Sequence, residues 1–197
     1  MKGLLSDKTA VVTGGSSGIG LATAQRFIDE GASVIVTGRR RTELDAAAAQ
    51  LGPHAHAVTG DVTVAADLER RSEAAARLGG IDILFANARV ARSAPLGSIT
   101  KEDFQHLFDI NVKGVVFTVQ TLLPLIREHG SIILNSLNDA DSTLDDDQFK
   151  AQRSQGIPLG RLATTDEVAD AVVLLASGLS SFTTGAALPV DGGYNQI

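Results

Sequence analysis

A glycine-rich turn between an apolar run and a helical pattern constrains the fold more than any other feature. The apolar residues 9–12 lead into residues 13–20, which read Thr-Gly-Gly-Ser-Ser-Gly-Ile-Gly and open a helical pattern. A buried strand, a glycine turn and a helix N-terminus form a phosphate cradle, because backbone N–H groups approach the anion and the helix dipole favours negative charge. The candidate phosphate-binding residues are Gly14, Ser16, Ser17, Gly18, Ile19 and Gly20.

Short apolar runs alternate with helical patterns along the chain. The predicted strands carry Val, Ile and Ala at both odd and even positions, so both faces of each strand are expected to be buried, as in a parallel sheet. Strict βαβα alternation predicts a doubly wound α/β fold, a single Rossmann-type domain over residues 1–197 with helices on both faces. The predicted strands are 9–13, 33–37, 54–59, 81–86, 131–135 and 187–190. The predicted helices are 18–30, 41–51, 64–78, 101–127, 145–153 and 166–177.

Composition and charge exclude several other classes of protein. The net charge of −6 argues against general nucleic-acid binding, and the absence of cysteine excludes disulfides and thiolate metal sites. The start of the chain lacks a signal-peptide pattern, and the apolar region 114–126 is too short and interrupted to span a bilayer. We therefore expect no membrane partner and a cytoplasmic location. His54 and His56 alternate on a predicted strand without a third ligand nearby, so no metal site is expected.

The end of the second predicted strand bears on the choice of cofactor. In NAD sites, an acidic residue about 20 positions after the glycine turn binds the ribose hydroxyls. Arg39 and Arg40 stand in this place, and a guanidinium group matches the geometry of a phosphate. The sequence therefore favours NADP, with Arg39 on its 2′-phosphate, and leaves NAD as the second choice. The alternative is that both arginines are solvated at the start of a helix.

These motifs, taken in order, resemble those of the short-chain dehydrogenase/reductase family. Residues 13–20 are similar to its cofactor loop, and Asp61-Val62 is similar to its adenine-contacting pair. Asn87-Ala88 resembles its Asn-Asn-Ala-Gly motif, in which Ala86 and Arg89 are departures. The resemblance implies that Asp61, Val62, Asn87 and Ala88 contact the cofactor.

A further motif and the closing segments extend the resemblance to catalysis. Asn111 begins an Asn-Val-Lys-Gly stretch similar to the family's helix motif, whose asparagine belongs to the catalytic tetrad. The resemblance implies an NAD(P)-dependent oxidoreductase that moves hydride between nicotinamide and a small alcohol or carbonyl substrate. It also implies a homotetramer or homodimer. The segments that resemble the family's carboxyl-terminal part are 158–161, 184–185 and 190–193.

The family's proton-transfer pair has no counterpart in this sequence. The resemblance implies a catalytic tyrosine and, four residues later on the same helix face, a lysine that lowers its pKa. The one tyrosine is Tyr194, and no lysine follows it. The predicted fifth strand runs directly into residues 136–139, where the family has a loop, a long helix and a further strand, roughly 45–50 residues. Ser136 is the remaining candidate for the catalytic serine, although Leu137 occupies the more favourable register.

Two explanations of this departure stay open. Either the protein lacks the segment, or the 197 residues join two stretches of a longer chain near residues 136–139. A true deletion is physically awkward, because it leaves backbone groups of two central strands unpaired. If the deletion is real, the alternative function is a catalytically inactive nucleotide-binding scaffold or sensor. The helical residues expected in the core are Phe104, Leu107, Phe108, Ile110 and Val112.

Overall fold

Five parallel strands form the centre of the protein in the computed structural model, which describes residues 2–91, 94–95, 97–136 and 154–196. They lie in the order β3-β2-β1-β4-β5, and every pairing between neighbours is parallel. The prediction of a doubly wound α/β fold is therefore confirmed. The strands are β1 (Thr9–Thr13), β2 (Ser33–Gly38), β3 (Ala55–Thr59), β4 (Ile81–Ala86) and β5 (Ile126–Leu134).

Helices cover both faces of this sheet. Successive residues of a strand point to opposite faces, and here the apolar side chains on each face pack against helices. Val12, Val36 and Phe85 join a buried cluster with residues of α1 and α6. Val11 and Leu84 join a second cluster with residues of α3 and α5. None of the helices within the described ranges combines the length and apolar character needed to cross a bilayer. The helices are α1 (Gly18–Asp29), α2 (Arg41–Leu51), α3 (Ala65–Arg77), α4 (Lys101–Phe108), α5 (Gly114–Leu122) and α6 (Thr165–Ala176).

The helix predicted over residues 101–127 is interrupted and ends early. A π-helical turn, Asp109–Lys113, separates α4 from α5, and a 3₁₀ turn, Leu123–Leu125, follows α5. Pro124 lies in this turn, where its missing N–H and its ring prevent the α-helix from continuing. Residues 126 and 127 therefore belong to β5, which begins at its pairing with Ile81 of β4.

The prediction that the apolar residues of this region lie in the core is mostly wrong. Ile110 is buried, but Phe104, Phe108 and Val112 are about half exposed. Their spacing of four residues places them on one side of the helical stretch, and the exposed Val116 continues the row. We call these four residues the α4–α5 stripe.

The strand predicted at 187–190 is absent from the structure. These residues are exposed, and Leu188 and Val190 are among the exposed apolar side chains. Within the described residues, β5 pairs only with β4 and forms the edge of the sheet, and residues 187–190 do not pair with it. The helix predicted at 145–153 lies outside the described residues.

Candidate active site

The glycine turn has a conformation that only glycine accommodates at several positions. Gly14 and Gly18 have φ values of +66° and +53°, in the left-handed region. A Cβ atom at Gly20 would lie 2.1 Å from the carbonyl oxygen of Gly14, so a larger residue would displace the backbone. At Gly18 the corresponding position is open to the described residues, none of which is found within 4 Å of it, and the side chain of Ser17 does not cap α1. The first turn of α1 thus presents backbone N–H groups beside open space, which fits the phosphates of a dinucleotide.

Hydrogen bonds join the carboxyl ends of three neighbouring strands to this turn. The hydroxyl oxygen of Thr13 accepts from the backbone N–H groups of Asn87 and Ala88, each at 2.9 Å. The side-chain amide of Asn87 donates to the carbonyl of Thr13 at 3.1 Å and accepts from Asn135 Nδ2 at 2.8 Å. Asn87 therefore acts on the site by fixing the glycine turn relative to β4 and β5.

Two of these residues, Thr13 and Asn135, were not among the predicted site residues. The signal that could have identified them is a polar side chain at the carboxyl end of each adjacent strand, since parallel strands end at one edge. Thr13 is almost fully buried, so its hydroxyl serves the protein rather than a ligand.

The predicted cofactor residues at the ends of β2 and β3 lie close together. Arg39 Nη1 is 3.9 Å from Asp61 Oδ2, and a Cβ atom at Gly38 would lie 3.4 Å from the hydroxyl of Ser16. Burial would raise the pKa of Asp61, but hydrogen bonds from Thr63 and the positive charge of Arg39 outweigh it and leave the pKa lowered. An ionised carboxylate and a guanidinium group thus lie side by side near the glycine turn.

Arg40, in contrast, forms an ion pair with a residue of α2. Its guanidinium group pairs with Glu43, and its side chain is more exposed than that of Arg39. Of the two arginines, Arg39 is therefore the one that the structure places next to Asp61 and the glycine turn.

The other predicted residues lie around the π-helical turn. Val62 is buried and packs against the start of α5, where a Cβ atom at Gly114 would come within 2.5 Å of Val62 Cγ2. Asn111 lies in the turn itself, and its side-chain amide accepts from the N–H of Val90 at 2.9 Å and donates to its carbonyl at 2.8 Å. Asn111 therefore holds the loop that follows β4.

Ser136 is exposed and follows Asn135 directly. No hydrogen bond within the described ranges links it to Asn111, and Leu137 lies outside those ranges. Tyr194 is in a 3₁₀ turn near the end of the chain and is about half exposed. Within the described residues, the structure therefore forms the glycine turn but shows no tyrosine and lysine paired beside it.

Comparisons with known proteins agree with this arrangement. The family model described as short chain dehydrogenase matches residues 8–140, and the model described as Enoyl-(Acyl carrier protein) reductase matches residues 137–195. Oxidoreductase asL5 of Sarocladium schorii is 39% identical, with 98% of each chain covered. Glucose 1-dehydrogenase of Gluconobacter oxydans is 31% identical, with 98% of this chain and 93% of that protein covered.

The alignments also contain positions without a counterpart here. The alignment with Oxidoreductase asL5 extends over 243 positions, whereas this chain has 197 residues, so at least 46 positions (243 minus 197) are unmatched in this chain.

A solved structure supports the same assignment. A short-chain dehydrogenase/reductase from Brucella melitensis, titled as a glucose/ribitol dehydrogenase, superposes with a TM-score of 0.89 at 28% identity. The superposition covers 98% of this chain and 99% of the other. None of these names favours the alternative of an inactive scaffold. The chain belongs to the short-chain dehydrogenase/reductase family of NAD(P)-dependent oxidoreductases.

Proposed function

We propose that the protein transfers hydride between NADP, in preference to NAD, and an alcohol or carbonyl group of a small molecule. The observation that carries the preference for NADP is the pairing of Arg39 with Asp61 beside the glycine turn. The 3.9 Å separation is long for an ion pair, and the Arg39 side chain is more than half exposed, so its guanidinium remains accessible to an incoming 2′-phosphate. Asp61 is left to contact the adenine.

The remaining residues take roles along the cofactor. The glycine turn holds the pyrophosphate, and Asn87, Ala88 and Val62 border the cofactor from β4 and β3. Asn111 would hold a structural water in the proton relay, and Ser136 would orient the substrate oxygen. The residues proposed to bind the pyrophosphate are Gly14, Ser16, Ser17, Gly18, Ile19 and Gly20.

The relatives' names support a small hydroxylated substrate. Galactitol 2-dehydrogenase of Agrobacterium fabrum is 29% identical over 96% of this chain, and the Gluconobacter relative is named for glucose. A polyol or sugar oxidised to a carbonyl compound is the substrate class that we propose.

The domain organisation and assembly complete the proposal. We propose one Rossmann domain whose missing segment belongs near residues 136–139. The change of family model at residues 137–140 supports this placement, and the unmatched alignment positions support the absence of a segment. We also propose a cytoplasmic location and a homodimer or homotetramer. The exposed α4–α5 stripe supports the assembly, since contiguous exposed apolar surface commonly marks an interface.

The cofactor preference is tested by titrating the protein with NADPH and NADH and following nicotinamide fluorescence. We expect NADPH to bind about tenfold more tightly, the order expected for one charge-assisted contact. Arg39→Asp should reverse the preference because the carboxylate repels the 2′-phosphate. Arg41→Asp is the matched control, since Arg41 is exposed and already pairs with Asp45. Equal affinities in the wild type would contradict the role of Arg39.

A further inference from the structure

Arg89 is fixed between the cofactor cradle and the catalytic asparagine. On its amino side, the N–H of Ala88 donates to Thr13 Oγ1 at 2.9 Å, and a Cβ atom at Gly14 would lie 3.0 Å from Ala88 Cα. On its carboxyl side, both backbone polar groups of Val90 bond to Asn111. The backbone at Arg89 is therefore held from both sides, between the glycine turn and Asn111.

The Arg89 side chain is partly buried, and the described part of the chain gives its guanidinium group no hydrogen bond and no ion pair. Burial lowers the pKa of Arg89, and among the described residues no carboxylate opposes this effect. Arg39, in contrast, has Asp61 as a neighbour.

An unpaired cation that is partly removed from water is unfavourable unless an anion approaches it. Arginine binds carboxylate and phosphate groups through two parallel N–H donors, which makes oxyanions its natural partners. Arg89 stands where the motif that Asn87-Ala88 resembles has a glycine. The positive charge is therefore a feature of this chain and not of the motif.

We propose that Arg89 binds an oxyanion in the region between the glycine turn and Asn111. The inference rests on the proposed function, since the site exists only if a dinucleotide and a substrate meet there. Two sources supply this chemistry: the phosphate on the nicotinamide side of the dinucleotide, or a carboxylate carried by the substrate. In the second case, the substrate is a hydroxy acid or an oxo acid, such as a polyol or sugar that also carries a carboxylate, rather than a neutral polyol or sugar.

Binding measurements distinguish the two sources without requiring turnover. The variants are Arg89→Met, which removes the charge but keeps an unbranched chain, and Arg89→Lys, which retains the charge. Arg41→Ala is the control for loss of one positive charge at an exposed position. Calorimetry would measure the affinity of ADP-ribose, which carries both phosphates, and of 2′,5′-ADP, which lacks the phosphate on the nicotinamide side. Oxalate and its neutral analogue oxamide would then be titrated onto the NADP-saturated protein.

The cofactor source predicts that Arg89→Met weakens ADP-ribose about tenfold while 2′,5′-ADP is unchanged. The substrate source predicts that ADP-ribose is unchanged and that oxalate binding falls about tenfold, with oxamide insensitive to the substitution. In either case Arg89→Lys should retain part of the affinity and Arg41→Ala should match the wild type.

Unchanged ADP-ribose and oxalate affinities in a folded Arg89→Met protein that still binds NADP would overturn the inference alone. A wild-type protein that binds neither NADP nor NAD would overturn the proposed function and this inference with it.

Discussion

At the scale of single residues, the site depends on a hydroxyl group that no ligand is expected to contact. Thr13 Oγ1 accepts from two backbone N–H groups and so fixes the loop after β4 against the glycine turn. We predict that Thr13→Val, which keeps the side-chain shape, leaves both donors without this partner. The free energy of unfolding should fall by about 2 kcal/mol or more, since an unsatisfied buried donor costs about 1–3 kcal/mol.

The measurement is urea-induced unfolding, accompanied by a titration with NADPH, whose affinity should also fall because the loop is less well positioned. Thr13→Ser is the control, because it keeps the acceptor and loses only a methyl group. If the valine and serine variants were equally stable, the hydroxyl would not have the role assigned to it.

The sequence identified several residues of the candidate site but not the residues with which they form contacts. The glycines at positions 14, 18 and 20 were identifiable, because their spacing reflects backbone conformation and close approach. The contact between Asn87 and Asn135 was not, because it joins residues 48 positions apart through the register of β4 and β5. The proximity of Arg39 and Asp61 likewise depends on the pairing of β2 with β3.

At the scale of elements, sequence patterns predicted the bounds of a strand or helix correctly where neighbouring residues determine where it starts and ends. The bounds of β1 and α2 were predicted without error, and α6 begins at a capping box formed by Thr164 and Glu167. Hydrogen bonds from Arg161 and Thr164 lower the pKa of Glu167 to about 2.

Sequence patterns predicted secondary structure incorrectly where it depends on pairing with a distant strand or on one inserted residue. The apolar residues 187–190 have the composition of a strand, yet a strand needs a neighbour, and β5 does not pair with them in the structure. The π-helical turn at Asp109–Lys113 was not predicted either, since the periodicity of the sequence does not reveal one inserted residue.

The α4–α5 stripe supports a prediction about assembly. The rings of Phe104 and Phe108 stack with centroids 4.2 Å apart, and Val112 and Val116 continue the apolar surface. We predict that Phe108→Glu converts the proposed oligomer into smaller species, because a charge would be buried in the interface. Light scattering coupled to gel filtration measures the mass. Leu4→Glu, at another half-exposed apolar residue, should leave the assembly unchanged.

A wild-type protein that is monomeric at micromolar concentration would contradict the assembly itself. The wild-type measurement therefore comes first, and the two variants then locate the interface. Leu122 is not part of this surface, since it is buried in the core beside α3.

At the scale of the whole molecule, the sequence carries the residues proposed to bind the cofactor but no Tyr-x-x-x-Lys pair. The proposed cofactor residues lie at the ends of β1, β2 and β4, whereas β5 forms the edge of the described sheet. Beyond α6, Phe182 is fully exposed and Leu188 is about half exposed. Further residues packed against these side chains would cover them, which agrees with the unmatched positions of the alignment.

The last prediction concerns turnover. A protein with a measured mass of 20.5 kDa contains no Tyr-x-x-x-Lys pair, so it lacks the proton donor that the family uses. We expect it to bind NADPH, because the cradle is intact, and to transfer hydride slowly. General acid–base catalysis contributes about 10²–10⁴-fold to a rate, and loss of ribose positioning reduces the rate further.

The matched comparison is a chimera in which the unmatched positions of Oxidoreductase asL5 are inserted near residues 136–139. NADPH absorbance would be followed with a panel of sugars, ketones and aldehydes, after intact mass has verified each protein. The chimera should exceed the 20.5 kDa chain by at least about 100-fold, and Asn111→Ala in the chimera should slow turnover more than it weakens cofactor binding. Equal turnover by the verified 20.5 kDa chain would require a proton donor outside the family's pattern. A natural protein about 5 kDa heavier, at roughly 110 Da per residue of the segment, would instead identify the 197 residues as two joined stretches.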